Sequence, residues 1–328
     1  MHRRGELALK NENGLIPVIV DGDPCLRFEF PGLRIGAAEY AEGPTGCTVL
    51  HFPEGARCEV DVRGGAPGLF GGYCYADAIC FAGGSFYGLE AVSGVAAEIL
   101  HARKSAAWAS IACVSGAVIY DFGRRSTLHY PDKLLGQAAF RAAAEGSFPI
   151  GRRGAGVSAS VGKIYGSERF AAEDGGQGAA VKTIGDLTIA VFTVVNSVGA
   201  VLDEDGTVMR GFLDLSTGRR HRLETILTEQ PKELAKVALR GVGNTTLTAV
   251  VVNKHIPANE LRQLGRQVHS AMARVIQPFH TLYDGDILFA LSVGEDPASL
   301  SSVVIGEIAS NLACAAVRSA VVPHFRVA

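Results

Sequence analysis

The order of strand-like and helix-like segments constrains the fold of this chain more than any other feature. Runs of β-branched or alternating apolar residues predict strands at 48–52, 112–120, 187–195, 200–203, 246–252 and 287–293. Helical spacing of apolar residues occurs at about 87–103, 132–145, 257–276 and 300–320. The helices form one pair in each half of the chain and do not alternate strictly with strands. This order disfavours a doubly wound parallel sheet and predicts an α+β layered sandwich, with helices covering both faces of stacked sheets.

The composition is that of a folded globular chain. Of 328 residues, 48% are hydrophobic and 20% are charged, so the sequence can build a large core. The formal net charge is -2 and there is no long basic block, which argues against nucleic acid as the main partner. We expect no apolar segment of the roughly 20 residues that a membrane span needs, and no secretory signal at the start of the chain. The expectation is therefore a cytoplasmic protein without a membrane partner.

Cysteine and histidine spacing gives no metal or cofactor motif. Seven cysteines without a CxxC pair predict reduced, mostly buried thiols. Nine histidines show no ligand spacing, and His269 and His280 are interpreted as hydrogen-bonded structural residues. The glycine-rich segment 154–164 lacks the spacing and the hydroxyl of a phosphate loop. Asp284 and Asp286 lack the remaining ligands of a calcium loop, so we predict no metal and no cofactor.

The segment GVGNTTLTAVVVN, residues 241–253, places a permissive turn directly before a buried strand. Gly241 and Gly243 would let the backbone bend there, at the end of a charged, linker-like segment at 216–243. If the chain were cut before Thr245, the new α-amino group, with an ordinary pKa of about 7.7 to 8.0, would be a base beside the threonine hydroxyl. Taken alone, the segment is more typical of an ordinary surface turn that leads into a strand, because glycine and asparagine are the usual turn residues.

Longer stretches of the sequence resemble one known family. GNTTLTAVVVN at 243–253 and the segment at 267–290 look like the small-subunit region of the nylon-oligomer hydrolases (6-aminohexanoate-oligomer endohydrolases), within the wider family of DmpA-type aminopeptidases and β-peptidyl aminopeptidases. Further blocks that read like this family occur at 30–56, 61–73, 78–95, 117–127, 130–140 and 154–163. The resemblance implies the stacked α/β/β/α sandwich of N-terminal nucleophile hydrolases, and a homo-oligomer, namely a tetramer of processed protomers.

The resemblance also implies self-cleavage at the Asn244–Thr245 bond. The products would be chains of residues 1–244 and 245–328 that stay together as one domain. Thr245 matches the family's nucleophile and Lys163 its catalytic lysine. Asn196 matches an asparagine whose side-chain amide donates to the oxyanion or the substrate, and Tyr120 matches the active-site tyrosine.

Asp284 and Asp286 match the acidic pair of the nylon-oligomer hydrolases. Alternate residues of a strand share one face, so we expect both carboxylates to point at the new N-terminus. One carboxylate would orient the Thr245 ammonium or hydroxyl while the other holds the first in place. The aminopeptidase branch carries a serine and a glutamate at this spacing, so the sequence favours cleavage within a chain over removal of a terminal residue.

Three functions remain open from the sequence. The first is a threonine amidohydrolase that cuts linear 6-aminohexanoate oligomers through an acyl-enzyme on Thr245. The second is a β-peptidyl aminopeptidase or an L-aminopeptidase/D-esterase that acts on a natural peptide amide. The third is an unprocessed homologue with a structural or binding role. A small oligoamide or a peptide is the expected partner.

Overall fold

The computed structural model of the chain describes residues 10–164, 167–229 and 243–322. The helices within these ranges are α1 Glu90–Arg103, α2 Lys133–Arg141, α3 Leu223–Glu229, α4 Ala258–Ala271 and α5 Ser302–Val321. The strands are β1 Val18–Ile19, β2 Cys25–Arg27, β3 Arg34–Tyr40, β4 Thr45–Val62, β5 Leu69–Phe70, β6 Tyr75–Ala82, β7 Val114–Val118, β8 Ser147–Pro149, β9 Ser160–Val161, β10 Phe170–Ala171, β11 Glu173–Asp174, β12 Gly176–Ile184, β13 Leu187–Asn196, β14 Ala200–Leu202, β15 Val208–Arg210, β16 Leu213–Asp214, β17 Thr245–Val252, β18 Ile276–Gln277 and β19 Ile287–Ser292.

One long strand, β4, joins the two halves of the main sheet. The sheet has the order β12-β13-β17-β19-β4-β6-β7-β5, with β3 also paired to β4 and β1 to β3. The first part of β4 pairs with β3 and β6, and its last part pairs with β19. The strands β17 and β19 are parallel to each other, whereas β13 is antiparallel to β17. The last 84 residues of the sequence, 245–328, therefore place two strands between strands of the preceding chain.

Three apolar clusters show how the layers stack. The inner cluster joins alternate residues of both sheet halves, and the rings of Phe81 and Phe289 are 6.2 Å apart across it. On one outer face, residues such as Val250 pack against α4 and α5. On the other, residues such as Val49 and Cys80 pack against α1 and α2. This is an α/β/β/α arrangement, and the predicted α+β sandwich is confirmed.

The predicted helices are confirmed, with ends that shift by a few residues. In α4, Leu261, Leu264 and Val268 are buried at spacings of three and four residues, and Pro257 precedes the first turn. In α2, the side chain of Asp132 accepts a hydrogen bond from the Leu135 backbone nitrogen (3.0 Å), which caps the helix start.

The prediction that no segment has the length and apolarity of a membrane span is wrong for α5. This helix has 20 residues and a mean hydropathy of 1.3, but 67% of its apolar window is buried inside the protein. It packs on β12, β13 and α4, so its apolarity is that of a core helix. All seven cysteines are free thiols; four are buried, while Cys74 is exposed.

The predicted linker at 216–243 is partly a folded element. The helix α3 covers Leu223–Glu229, and its Ile226 is buried against Phe170 and Phe212 in a small apolar cluster. Residues 230–242, including Gly241, lie outside the described residues.

Candidate active site

The peptide bond between Asn244 and Thr245 is buried and held in place by a turn that precedes β19. Asn244 is 1% exposed and Thr245 is 3% exposed. The Asn244 nitrogen donates to the Tyr283 carbonyl oxygen (3.1 Å), and the Asn244 carbonyl oxygen accepts from the Gly285 nitrogen (2.5 Å). Thr245 begins β17 directly opposite Asn196, the last residue of β13. Both sides of this peptide bond are therefore fixed by neighbouring backbone.

The hydroxyl of Thr245 lies against the carbonyl group that precedes it. Its Oγ1 donates to the Asn244 carbonyl oxygen (2.5 Å), which also accepts from Gly285. A Cβ at position 285 would lie 2.7 Å from Thr245 Oγ1 and 2.6 Å from the Ala66 carbonyl oxygen. Because these distances exclude a side chain, glycine is required at 285 for the turn to approach the threonine this closely.

Gly243, like Gly285, lets two segments of the backbone approach each other closely. A Cβ there would lie 2.8 Å from the Cβ of Tyr120. A side chain at position 243 would therefore need Tyr120 to move, so glycine at this position provides space. The segment that leads to the Asn244–Thr245 bond thereby packs directly on Tyr120.

Lys163 is a buried amine whose partners carry no formal charge. It is 6% exposed, and its Nζ donates to the main-chain oxygen and to the side-chain Oδ1 of Asn196, each at 2.9 Å. The pKa of Lys163 is lowered to about 7, mainly by burial; the charge of Asp284 opposes this shift, and the charge of Arg124 adds a smaller lowering. Near neutral pH the amine can therefore both accept and donate a proton.

Asn196 links Lys163 to Tyr120. Its Oδ1 also accepts from the Ser160 nitrogen (3.0 Å), and its Nδ2 donates to the Tyr120 carbonyl oxygen (3.0 Å). A side-chain amide has two N–H groups, so one of them is used in holding Tyr120. The amide is thus fixed in orientation, with its oxygen turned toward the lysine.

Asp284 and Asp286 precede β19 in a turn and do not share the face of one strand, so the expected strand geometry is wrong. Both are fully buried. Asp284 accepts from the Val198 nitrogen (3.2 Å) and from the nitrogen and hydroxyl of Thr281 (2.9 and 2.6 Å). Asp286 Oδ1 accepts from the Thr246 nitrogen (2.7 Å). Burial, followed by the charge of Asp286, raises the pKa of Asp284.

Two further residues belong to the site although no sequence pattern points to them. Gly285 contributes a main-chain N–H, which residue type does not reveal. His280 contacts Asp286 with its ring Nδ1 (2.9 Å), and His269 contacts Asp61 in the same way (2.9 Å). Both histidines are hydrogen-bonded, as predicted, but only the fold shows that one of them touches an acid of the site.

A cavity of about 160 Å³ opens beside these groups. It is lined by Tyr120, Gly123, Arg124, Ser160, Lys163, Ile164, Ala172 and Gly243. Across residues 10–164, 167–229 and 243–322, no group of three histidine, cysteine or acidic side chains is arranged to hold a metal ion. The chemistry available in the site is that of a hydroxyl, an amine of lowered pKa, two carboxyls and oriented amides.

Known sequences match almost the whole chain. The model of "Peptidase family S58" matches residues 29–323. A 6-aminohexanoate-oligomer endohydrolase of Agromyces sp. (strain KY5R) is 50% identical over 286 residues, which cover 86% of this chain and 78% of the relative. An enzyme of the same name from Paenarthrobacter ureafaciens has the same identity and coverage.

A solved structure shares the fold at low sequence identity. It is an L-aminopeptidase D-Ala-esterase/amidase from Ochrobactrum anthropi, described as a variant of the Ntn hydrolase fold. The match has a TM-score of 0.61 and 15% identity, and it covers 89% of this chain and 83% of the other. The layered sandwich described above is therefore of the Ntn-hydrolase type.

Proposed function

The chain belongs to peptidase family S58 and is a hydrolase of amide bonds, and from that premise we propose that it is an autoprocessing N-terminal threonine amidohydrolase that cuts 6-aminohexanoate oligomers within the chain. One observation carries the proposal. The Asn244 carbonyl oxygen is held by the Gly285 nitrogen while Thr245 Oγ1 lies against the same oxygen, both at 2.5 Å. The hydroxyl therefore lies beside the carbonyl group that an intramolecular attack on the Asn244–Thr245 bond must reach, and the oxygen that would become negative already has a main-chain donor.

The first step is attack of Thr245 Oγ on the Asn244 carbonyl carbon. Before cleavage Thr245 has no free α-amine, so another base must take the hydroxyl proton. Lys163, with a pKa of about 7, supplies a neutral amine in this site. The Gly285 N–H stabilises the negative charge that develops on the carbonyl oxygen.

Collapse of this intermediate breaks the C–N bond and protonates the Thr245 nitrogen. The product is an ester between Asn244 and the threonine hydroxyl. Water then hydrolyses the ester, which leaves a carboxylate on Asn244 and a free amine on Thr245. Because Asn244 is buried in the intact chain, its departure is also what opens the nucleophile to substrate.

Turnover repeats the same chemistry on an external amide. The Thr245 hydroxyl attacks the substrate carbonyl, its α-amine carries the proton to the leaving amine, and water releases the acyl group. Asp286 fixes the strand just after the nucleophile, since it accepts from the Thr246 nitrogen. Asn196 orients Lys163 and holds the backbone of Tyr120, and Tyr120 lines the cavity that would receive the substrate.

The substrate class rests on relatives and on the acidic pair. Enzymes named for hydrolysis of 6-aminohexanoate oligomers are 50% identical to this chain. An aminopeptidase activity on a peptide amide is the alternative. Purified protein is incubated with a linear 6-aminohexanoate oligomer and, separately, with a β-alanyl p-nitroanilide, with Thr245→Ala as the control. We expect internal cuts in the oligomer by the wild type alone; hydrolysis of only the anilide would contradict the proposed substrate.

Association of the processed chains follows from the sheet order. Residues 245–328 supply β17 and β19, which lie between β13 and β4, so a cut before Thr245 would leave the two products interleaved as one domain. A homo-tetramer and a cytoplasmic location stay predictions. Analytical ultracentrifugation of the processed protein tests the first, because a monomer of processed protomers would contradict it.

A further inference from the structure

We propose that His280 is a positioning residue for Asp286, and that His269 and Asp61 hold its ring in place. The proposal deepens the threonine amidohydrolase mechanism and rests on it for its effect on rate. It assigns a purpose to a histidine pair, His269 fully buried and His280 partly buried, that the mechanism above does not use.

His280 supplies two of the three hydrogen bonds to the Asp286 carboxylate. Asp286 Oδ2 accepts from the His280 backbone nitrogen (3.1 Å) and from its ring Nδ1 (2.9 Å). The other oxygen, Oδ1, accepts from the Thr246 nitrogen (2.7 Å). The two hydrogen bonds to Oδ2 fix the orientation of the carboxylate. As a result, Oδ1 points at the backbone nitrogen of Thr246, the residue that follows the nucleophile.

The backbone of His280 adopts an uncommon conformation to make this contact. Its φ is 58°, in the left-handed region that residues other than glycine seldom occupy. Backbone strain of this kind persists where the surrounding structure requires it, and it concentrates at functional sites. The conformation is what brings the ring and the N–H of one residue to the same carboxylate oxygen.

The ring of His280 is fixed by two neighbours. Phe279 stacks on it with a centroid distance of 3.8 Å, and His269 meets it edge-on at 4.4 Å. His269 is fully buried and its Nδ1 contacts Asp61 (2.9 Å), which also accepts from Arg63 Nε (2.6 Å). Burial lowers the pKa of His269 to about 4, so this ring is uncharged at neutral pH.

A purely structural role would be better served by apolar side chains. Among the described residues, neither His269 Nε2 nor His280 Nε2 has a hydrogen-bond partner, although both atoms are buried. Buried polar atoms without a partner destabilise a fold. The ring Nδ1 of each histidine, in contrast, is engaged with a carboxylate. Each ring therefore lowers the stability of the fold at its Nε2. Through Nδ1, His280 orders Asp286 and His269 is held by Asp61.

The test compares two substitutions that differ in one hydrogen-bond donor. His280→Asn keeps a donor where Nδ1 lies, and asparagine tolerates the left-handed conformation better than most residues. His280→Leu removes the donor. We expect His280→Leu to slow self-cleavage and to lower kcat by about 10- to 100-fold with little change in KM, and His280→Asn to stay within about threefold of the wild type. The exposed His101→Leu is the control for loss of a histidine.

A second readout does not depend on activity. Crystal structures are compared for both variants in a Thr245→Ala background, where the chain stays whole. The distance from Asp286 Oδ1 to the Thr246 nitrogen should remain near 2.7 Å in His280→Asn and lengthen in His280→Leu. An unchanged Asp286 in His280→Leu, or equal loss of rate in both variants, would overturn the positioning role. If the wild type itself stays uncut, the proposed function fails, and the crystallographic comparison still decides the role of His280.

Discussion

Buried charges are handled differently in two regions of the molecule. Where α1 meets β6, Asp77 is 2% exposed, and Arg103 neutralises its charge through two hydrogen bonds (2.5 and 3.2 Å). The Cys113 nitrogen donates a further hydrogen bond to the same carboxylate. In the site, Asp284 and Lys163 are equally buried, yet neither forms an ion pair with any residue that the structure describes. The first region uses charge to hold elements together, whereas in the second the pKa of each group is shifted toward its neutral form, which makes the group available for proton transfer.

The same contrast separates two buried lysines. Lys254 is 8% exposed and forms an ion pair with Asp186 (2.5 Å) at the end of the strand that Thr245 begins. Lys163 is 6% exposed, and within the described part of the chain its Nζ hydrogen-bonds to two oxygens of Asn196 and forms no ion pair. A buried charge without a counter-charge costs free energy of folding, and the usual response is a shifted pKa. Shifted values of this kind are typical of groups that exchange protons during catalysis.

The largest expected effect is on the rate of self-cleavage in Lys163→Met. Loss of the amine removes the base that acts before Thr245 has a free α-amine, so we expect the rate to fall by about 10²- to 10⁴-fold. Denaturing electrophoresis at timed intervals after purification measures it. The matched control is Lys254→Met, which removes a lysine of similar burial from outside the site. Equal rates in Lys163→Met and Lys254→Met would remove the distinction between the two lysines.

The next effect is on stability, in the region that pairs its charges. Arg103→Met leaves the Asp77 carboxylate with one donor, the Cys113 backbone nitrogen. We expect the free energy of unfolding to fall by about 2 kcal/mol. The loss is smaller than for a fully buried ion pair because Arg103 is partly exposed to water. Urea denaturation measures this change. Self-cleavage should proceed at the wild-type rate in the folded variant, and a loss of self-cleavage would show that this pair is not separate from the site.

A smaller effect is the pH dependence of stability that Lys163 contributes. Its pKa in the folded chain is about 7 and that of an exposed lysine is about 10.4, so between these values the unfolded chain binds a proton that the folded chain does not. Stability from this group therefore rises with pH across that range, by at most about 1.4 kcal/mol per pH unit. In a Thr245→Ala background, where both proteins stay whole, the free energy of unfolding with Lys163 present, minus that with Lys163→Met, should increase from pH 7 to pH 10. A constant difference would mean that Lys163 is not held with a lowered pKa.

The smallest effect is expected for a solvent-exposed pair. The side chains of Arg27 and Asp23 are 72% and 80% exposed and 3.5 Å apart. Water and salt screen such a pair, so Arg27→Met should change the free energy of unfolding by less than about 0.5 kcal/mol. The same urea series measures it. A change as large as that of Arg103→Met would show that burial does not separate the two classes of ion pair.

The helices and several strands were predictable from the sequence because their signal is local. The apolar stripe of α4 and the β-branched run of β17 each carry their own period. The strands β6 and β12, YADAICFA and GQGAAVKTI, were missed since they are rich in alanine and glycine. Their extended conformation comes from pairing with β4 and β13, which no local window contains.

Those parts of the site that consist of side-chain groups were predictable, whereas those that depend on the main chain were not. Resemblance to known enzymes pointed to Thr245, Lys163 and the two aspartates, and the structure brings them around one peptide bond. Gly285 acts through a main-chain N–H, and His280 acts through a left-handed backbone and a contact six residues along the turn. Neither property is visible in residue type, because both depend on how the turn before β19 folds.

Intact mass spectrometry of the purified protein locates the cut itself. We expect two chains, residues 1–244 and 245–328, with masses that place the cut between Asn244 and Thr245. We also expect Thr245→Ala to give one chain of 328 residues. A wild-type protein that stays whole at neutral pH, or a Thr245→Ala variant that is still cut after Asn244, would contradict self-cleavage by Thr245.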